Sequence, residues 1–68
     1  MELNLYFSEC EHNEDLDNYK GDVRNSGASI LNSGVDYEAE EGWIKAEVES
    51  QEAFLMKFKD TDAYAFML

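Results

Sequence analysis

Between Val35 and Glu49 the chain alternates apolar and charged residues on both sides of Gly42. Val35 and Tyr37 share one parity, Asp36 and Glu38 the other. After the glycine, Ile44, Ala46 and Val48 alternate with Trp43, Lys45, Glu47 and Glu49. A period of two is the signature of half-buried strands, so the stretch reads as a hairpin turning at Glu40-Glu41-Gly42. One face of such a hairpin can build a core. The other carries mostly carboxylates into water.

That hairpin needs partners to cover its apolar face. Met1 to Ser8 alternates in the same way, with Leu3, Leu5 and Phe7 on one side and Glu2, Asn4 and Tyr6 on the other. A helix is expected from about Asn13, with Asn13 as its cap and Glu14, Asp15 and Asp17 near its positive end. Leu16, Tyr19 and Val23 form its apolar stripe, and Asn25-Ser26-Gly27 stops it. Ala28 to Ala39 reads as the second strand, with Leu31, Val35 and Tyr37 together and a bulge or bend at Asn32-Ser33-Gly34. Ser50 can cap a second helix whose buried residues are Phe54, Leu55 and Phe58. Asp60-Thr61-Asp62 ends it. Ala63 to Leu68 alternates again and is expected to be a fourth strand.

The expected order is therefore β-α-β-β-α-β. With right-handed crossovers this implies an α+β ferredoxin-like sandwich: a four-stranded antiparallel sheet, order 4-1-3-2, with both helices on one face. Sixty-eight residues make one domain, and a domain of that size buries only about 60% of its unfolded surface.

Charge narrows the partners. Sixteen Asp and Glu against five Lys and Arg leave a formal charge of -11. Such a surface repels phosphate backbones and anionic membranes and suits basic partners. Tyr6 and Trp43 on central strands could in principle stack bases, but a ring of carboxylates opposes that use. A chain with 44% hydrophobic residues still has the means to fold despite its charge.

Chemistry is harder to find. Cys10 and His12 form a Cys-x-His pair with no further Cys or His to complete a zinc site. Calcium-loop registers starting at Asn13 or Asp15 put Asn18 or Lys20 where glycine is needed, and Arg24 or Ser26 where the closing glutamate is needed. Gly21, Gly27, Gly34 and Gly42 are isolated and make no phosphate loop. Neither a metal nor a cofactor is expected, and no catalytic residue is assigned. One cysteine and the lack of a signal-like or membrane-spanning run point to the cytoplasm.

Two acidic groups remain as candidate partner-binding sites. Asp36, Glu38, Glu47 and Glu49, with Trp43 beside them, are expected on the uncovered sheet face. Same-face neighbours on a strand stand about 6.6 Å apart, a spacing that can meet sites meant for phosphates. Glu9, Glu11, Glu14, Asp15 and Asp17 form the second group.

In length, net charge, single compact domain and absence of catalytic residues, the chain resembles the small acidic anti-CRISPR proteins of phages and mobile elements. The resemblance implies a DNA mimic that blocks the basic DNA-binding surface of a bacterial defence complex, a type I CRISPR surveillance complex being one case. The charge itself argues against direct nucleic-acid binding, a monomer is expected over a dimer, and a phage-encoded chain would act in the host cytoplasm. A ferredoxin-like interaction module and a halophile acidic protein are the alternative readings.

Overall fold

The computed structural model describes residues 1–68. Strand β1 spans Glu2–Phe7, helix α1 Asn13–Asn25, β2 Ser29–Asp36, β3 Glu41–Glu47 and helix α2 Gln51–Phe58. A 3-10 helix, Asp62–Phe66, follows. The sheet has three strands in the order β1-β3-β2, and β3 is antiparallel to both neighbours. The expected ferredoxin-like sandwich with four strands is therefore not what forms; the fold is a smaller α+β arrangement.

The missing strand has a physical explanation. Alternation would put Tyr64, Phe66 and Leu68 on one face. A three-residue period instead buries Ala63, and Phe66 stacks on Tyr19 of α1 with ring centres 5.5 Å apart. The Ala63 N–H donates to Asp22 Oδ2 on α1 at 3.1 Å, and Tyr64 meets Phe58 edge-on. Aromatic stacking and a carboxylate cap together outweigh strand pairing here. Only one bridge of the expected strand survives, Phe7 to Met67, with Ser8 N–H donating to Phe66 C=O and Leu68 N–H to Tyr6 C=O.

Register decides which side chains face the helices. Leu3 and Ile30 flank Ala46, Leu5 and Ser33 flank Ile44, and Phe7 and Val35 flank Gly42. These share one face with the buried residues of both helices: Leu16, Tyr19 and Val23 from α1, Phe54 and Phe58 from α2. Phe7 is the hub, stacked on Tyr19 at 5.0 Å and edge-on to Phe58 at 6.1 Å. Burying residues of this size is worth about 1.5–3 kcal/mol each.

Two strand details differ from the alternation pattern. A bulge between Ile30 and Asn32 leaves Leu31 as the extra residue, so it points to solvent while Ile30 packs inward. The hairpin turns earlier than Gly42. Asp36 Oδ1 accepts the N–H groups of Glu38 and Ala39 at 3.1 and 3.2 Å, an Asx turn that ends β2 and puts Tyr37 to Glu40 in the turn. At the other chain ends the caps are local. Ser50 Oγ accepts the Ala53 N–H. Helix α1 starts one residue earlier than expected, with His12 as its N-cap residue, and Asp15 Oδ2 accepts the backbone N–H groups of Glu11 and His12 at 3.1 Å each. Gly27 takes the left-handed conformation expected of a helix stop.

Candidate functional site

The uncovered sheet face is less acidic than its sequence suggests. Its cross-strand rows read Glu2-Glu47-Ser29, Asn4-Lys45-Asn32 and Tyr6-Trp43-Gly34, with Asp36 and Glu41 at the far margin. Lys45 Nζ lies 3.0 Å from Glu2 Oε1, and the Met1 amine lies 2.9 Å from Glu47 Oε1. Both carboxylates of these three rows therefore have a cation. The Trp43 indole lies flat over Gly34, so close that a Cβ there would sit 2.8 Å from its Nε1. A side chain at that position would have to push the ring aside. Glu49 lies beyond the end of β3, and Glu38 lies in the turn, so neither belongs to the open face.

The negative charge gathers elsewhere. The loop after β1 packs against the start of β3. Its Cys10 N–H donates to the Glu40 C=O at 2.9 Å, and a Cβ on Gly42 would lie 2.7 Å from Cys10 Sγ and 2.7 Å from Leu16 Cδ1. That junction brings two distant segments to one end of the sheet. The first supplies Glu9, Glu11, Glu14 and Asp15; the second supplies Asp36, Glu38, Glu40 and Glu41. Neither segment contains a Lys or Arg. Asp17 lies farther along α1 and is 3.7 Å from Lys20. The two acidic groups read separately in the sequence thus meet in part, while Glu47 and Glu49 stay at the opposite end of β3.

The backbone at this end is strained at two places. Glu9 and Glu40 have φ of 56° and 55° and are the only residues other than glycine with positive φ. A side chain in this conformation costs about 1–2 kcal/mol. Both strained residues are acidic; Glu40 accepts the Cys10 N–H and Glu9 precedes the donor. The α1 N-terminus offsets part of the local repulsion, because its dipole favours the anions of its first turn, Glu14 and Asp15.

Glu40 and Glu41 were missed as site residues because the turn was placed on them. The signal that relocates it is Asp36: an Asp closing a strand pattern can accept the N–H groups two and three residues on. Tyr37, 60% exposed at the hairpin tip among these carboxylates, was read as a core-parity residue and belongs here too.

Little at this end looks like chemistry. Cys10 is fully buried against Gly42 and Leu16, whereas His12 is exposed. Burial, and after it the Asp15 carboxylate, push the Cys10 thiol above its usual value; a backbone hydrogen bond at Gly42 pulls the other way. Burial also raises the Tyr19 phenol, helped by Cys10, Asp15 and Glu9. A thiol held neutral is a poor nucleophile and metal ligand. No three His, Cys, Asp or Glu side chains converge so as to hold a metal ion. No helix is long and apolar enough to cross a membrane.

Comparison with family models, curated proteins and solved structures finds no match.

Proposed function

We propose that the chain is a non-enzymatic inhibitor that offers its acidic end, as a DNA mimic, to a basic DNA-binding surface of a bacterial defence complex, in the manner of an anti-CRISPR protein. The observation that carries this reading is the meeting, at the Cys10–Glu40 bond, of two segments that hold eight carboxylates and no Lys or Arg. Like charges on adjoining segments add their fields over a screening length of about 8 Å at physiological salt. A protein groove that normally binds phosphates would meet a comparable density of negative charge. Tyr37 at the tip supplies an aromatic anchor of the kind that holds interfaces after electrostatic encounter.

Two glutamates held in a backbone conformation easier for glycine support the same reading. Strain retained at a surface turn is better explained by use of the side chains than by stability. The test is competition with duplex DNA for a purified defence complex. The wild-type chain is expected to displace DNA, and the displacement is expected to weaken as salt rises. Lys in place of Glu9, Glu11, Glu38 and Glu40 is expected to abolish it with the circular dichroism spectrum unchanged. Full displacement by that variant overturns the assignment of the acidic end.

A further inference from the structure

We infer that the outer face of α2 packs against the same face of a second copy, antiparallel about a two-fold axis. Glu52, Leu55, Met56 and Lys59 stand at i, i+3, i+4 and i+7, so they are neighbours on one side of the helix. Together with Tyr64 of the 3-10 helix they line a hollow of about 380 Å³. In knobs-into-holes packing, four neighbouring residues of one helix form the hole that receives a side chain of the facing helix. The side chain best placed to be the knob is Met56 itself. It is 66% exposed, beside the half-buried Leu55 and the exposed Tyr64. A thioether on a flexible stem adapts to such a hollow and makes favourable contacts with an aromatic ring.

Charge names the occupant and its direction. Helix α2 holds two lysines and one glutamate, whereas every other helix or strand has more acidic residues than basic ones. In a chain of charge -11, this is the element across which two copies repel least. Neither Glu52 nor Lys59 has an ion-pair partner within the chain. An axis passing between Leu55 and Met56 sets Glu52 opposite Lys59 of the second copy, and Lys59 opposite its Glu52. Met56 then faces Leu55 of the second copy and enters its hollow, and symmetry repeats the insertion the other way. A parallel arrangement would instead set Glu52 against Glu52 and Lys59 against Lys59. Met67 and Leu68 turn to β1, where Met67 bridges Phe7 and the Leu68 N–H reaches the Tyr6 C=O, and neither lines the hollow. None of the eight carboxylates of the acidic end takes part, so the inference stands apart from the proposed inhibition.

Sedimentation across a concentration series tests this. One short helix per copy makes a contact of the class under about 1,200 Å² in total, so the expected dimer is weak, with a dissociation constant on the order of 0.1 mM. Glu52→Lys alone sets Lys against Lys59, and Lys59→Glu alone sets Glu against Glu52. Each is expected to weaken association about tenfold. Mixed in equal amounts, the two variants present only opposite charges to each other, and association is expected to return. Met56→Lys is expected to give a monomer with an unchanged circular dichroism spectrum, because that side chain is exposed in the single chain. A monomer at every concentration up to about 1 mM overturns the inference and leaves the hollow to a helix of another protein. So does a dimer indifferent to all three substitutions, or a mixture no stronger than its components.

Discussion

The open sheet face and the acidic end are built from the same hairpin, yet their carboxylates behave differently. On the face, strand pairing sets Glu2 and Glu47 within about 3 Å of Lys45 and the Met1 amine. At the end, the loop after β1 and the β2–β3 turn bring glutamates together without a single lysine or arginine. Regular pairing spreads charge and lets opposite signs meet. Irregular backbone, held by Cys10 and Gly42, concentrates one sign. Net charge alone does not say where charge gathers; the topology that sorts the charges does.

The largest separation between the two regions is expected in partner binding. Reversing Glu9, Glu11, Glu38 and Glu40 to Lys should cost more than about a hundredfold in affinity, because several like-charge contacts replace attractive ones. Glu2→Gln with Glu47→Gln should stay within about threefold, since those carboxylates are already compensated. Equal losses in titrations of the two variants would erase the distinction.

The glycines sharpen it at the level of stability. Gly42→Ala pushes a methyl into Cys10 and Leu16 inside the junction, and overpacking there should cost about 1–3 kcal/mol in urea unfolding. Gly34→Ala meets only the Trp43 indole, on the solvent side of the sheet. It should cost less than about 1 kcal/mol while shifting the tryptophan emission as the ring lifts away.

Next in size is Glu40→Gly. Relief of its positive φ should stabilise the chain by about 1 kcal/mol while lowering partner affinity. A gain in both properties would mean that the glutamate serves neither.

The smallest effect is confined to alkaline pH. The folded state holds the Cys10 thiol and the Tyr19 phenol above their ordinary values, chiefly through burial. A raised folded pKa means that the stability held by the neutral group is fully present below its ordinary value and is lost as pH rises through the folded value. The melting temperature should therefore decline from about pH 9 upward, and Cys10→Ala should remove the earlier part of the decline.

Much of the fold was legible because apolar spacing reports burial directly. Leu5 and Phe7, Ile44, Ala46 and Val48, Leu16, Tyr19 and Val23, and Phe54 and Phe58 all face the core as their periods imply. The C-terminal segment was not legible. Six residues that alternate fit a strand as well as a 3-10 turn, and the choice rests on Tyr19, Phe58 and Asp22, which are distant in sequence. The bulge at Leu31 was anticipated as an interruption near Asn32-Ser33-Gly34. Its consequence, an outward Leu31, depends on the β3 register. Six of the eight carboxylates at the acidic end were readable, in the Glu9–Asp15 run and as Asp36 and Glu38 of the hairpin. The union of that run with the hairpin turn was not, since no local pattern shows that Cys10 will bond Glu40.

Composition and periodicity by themselves determined the acidic character, the two helices, three of the four expected strands and most inward residues, Leu31 and Tyr37 excepted, because these follow from local spacing and from charge. Tertiary structure alone decided the rest. It coiled Asp62–Phe66 against α1. It also paired away the carboxylates of the open face. The hairpin from Val35 to Glu49 therefore carries its strongest charge at its turn and not along its strands, because only packing against the loop at Cys10 brings a second set of glutamates beside it.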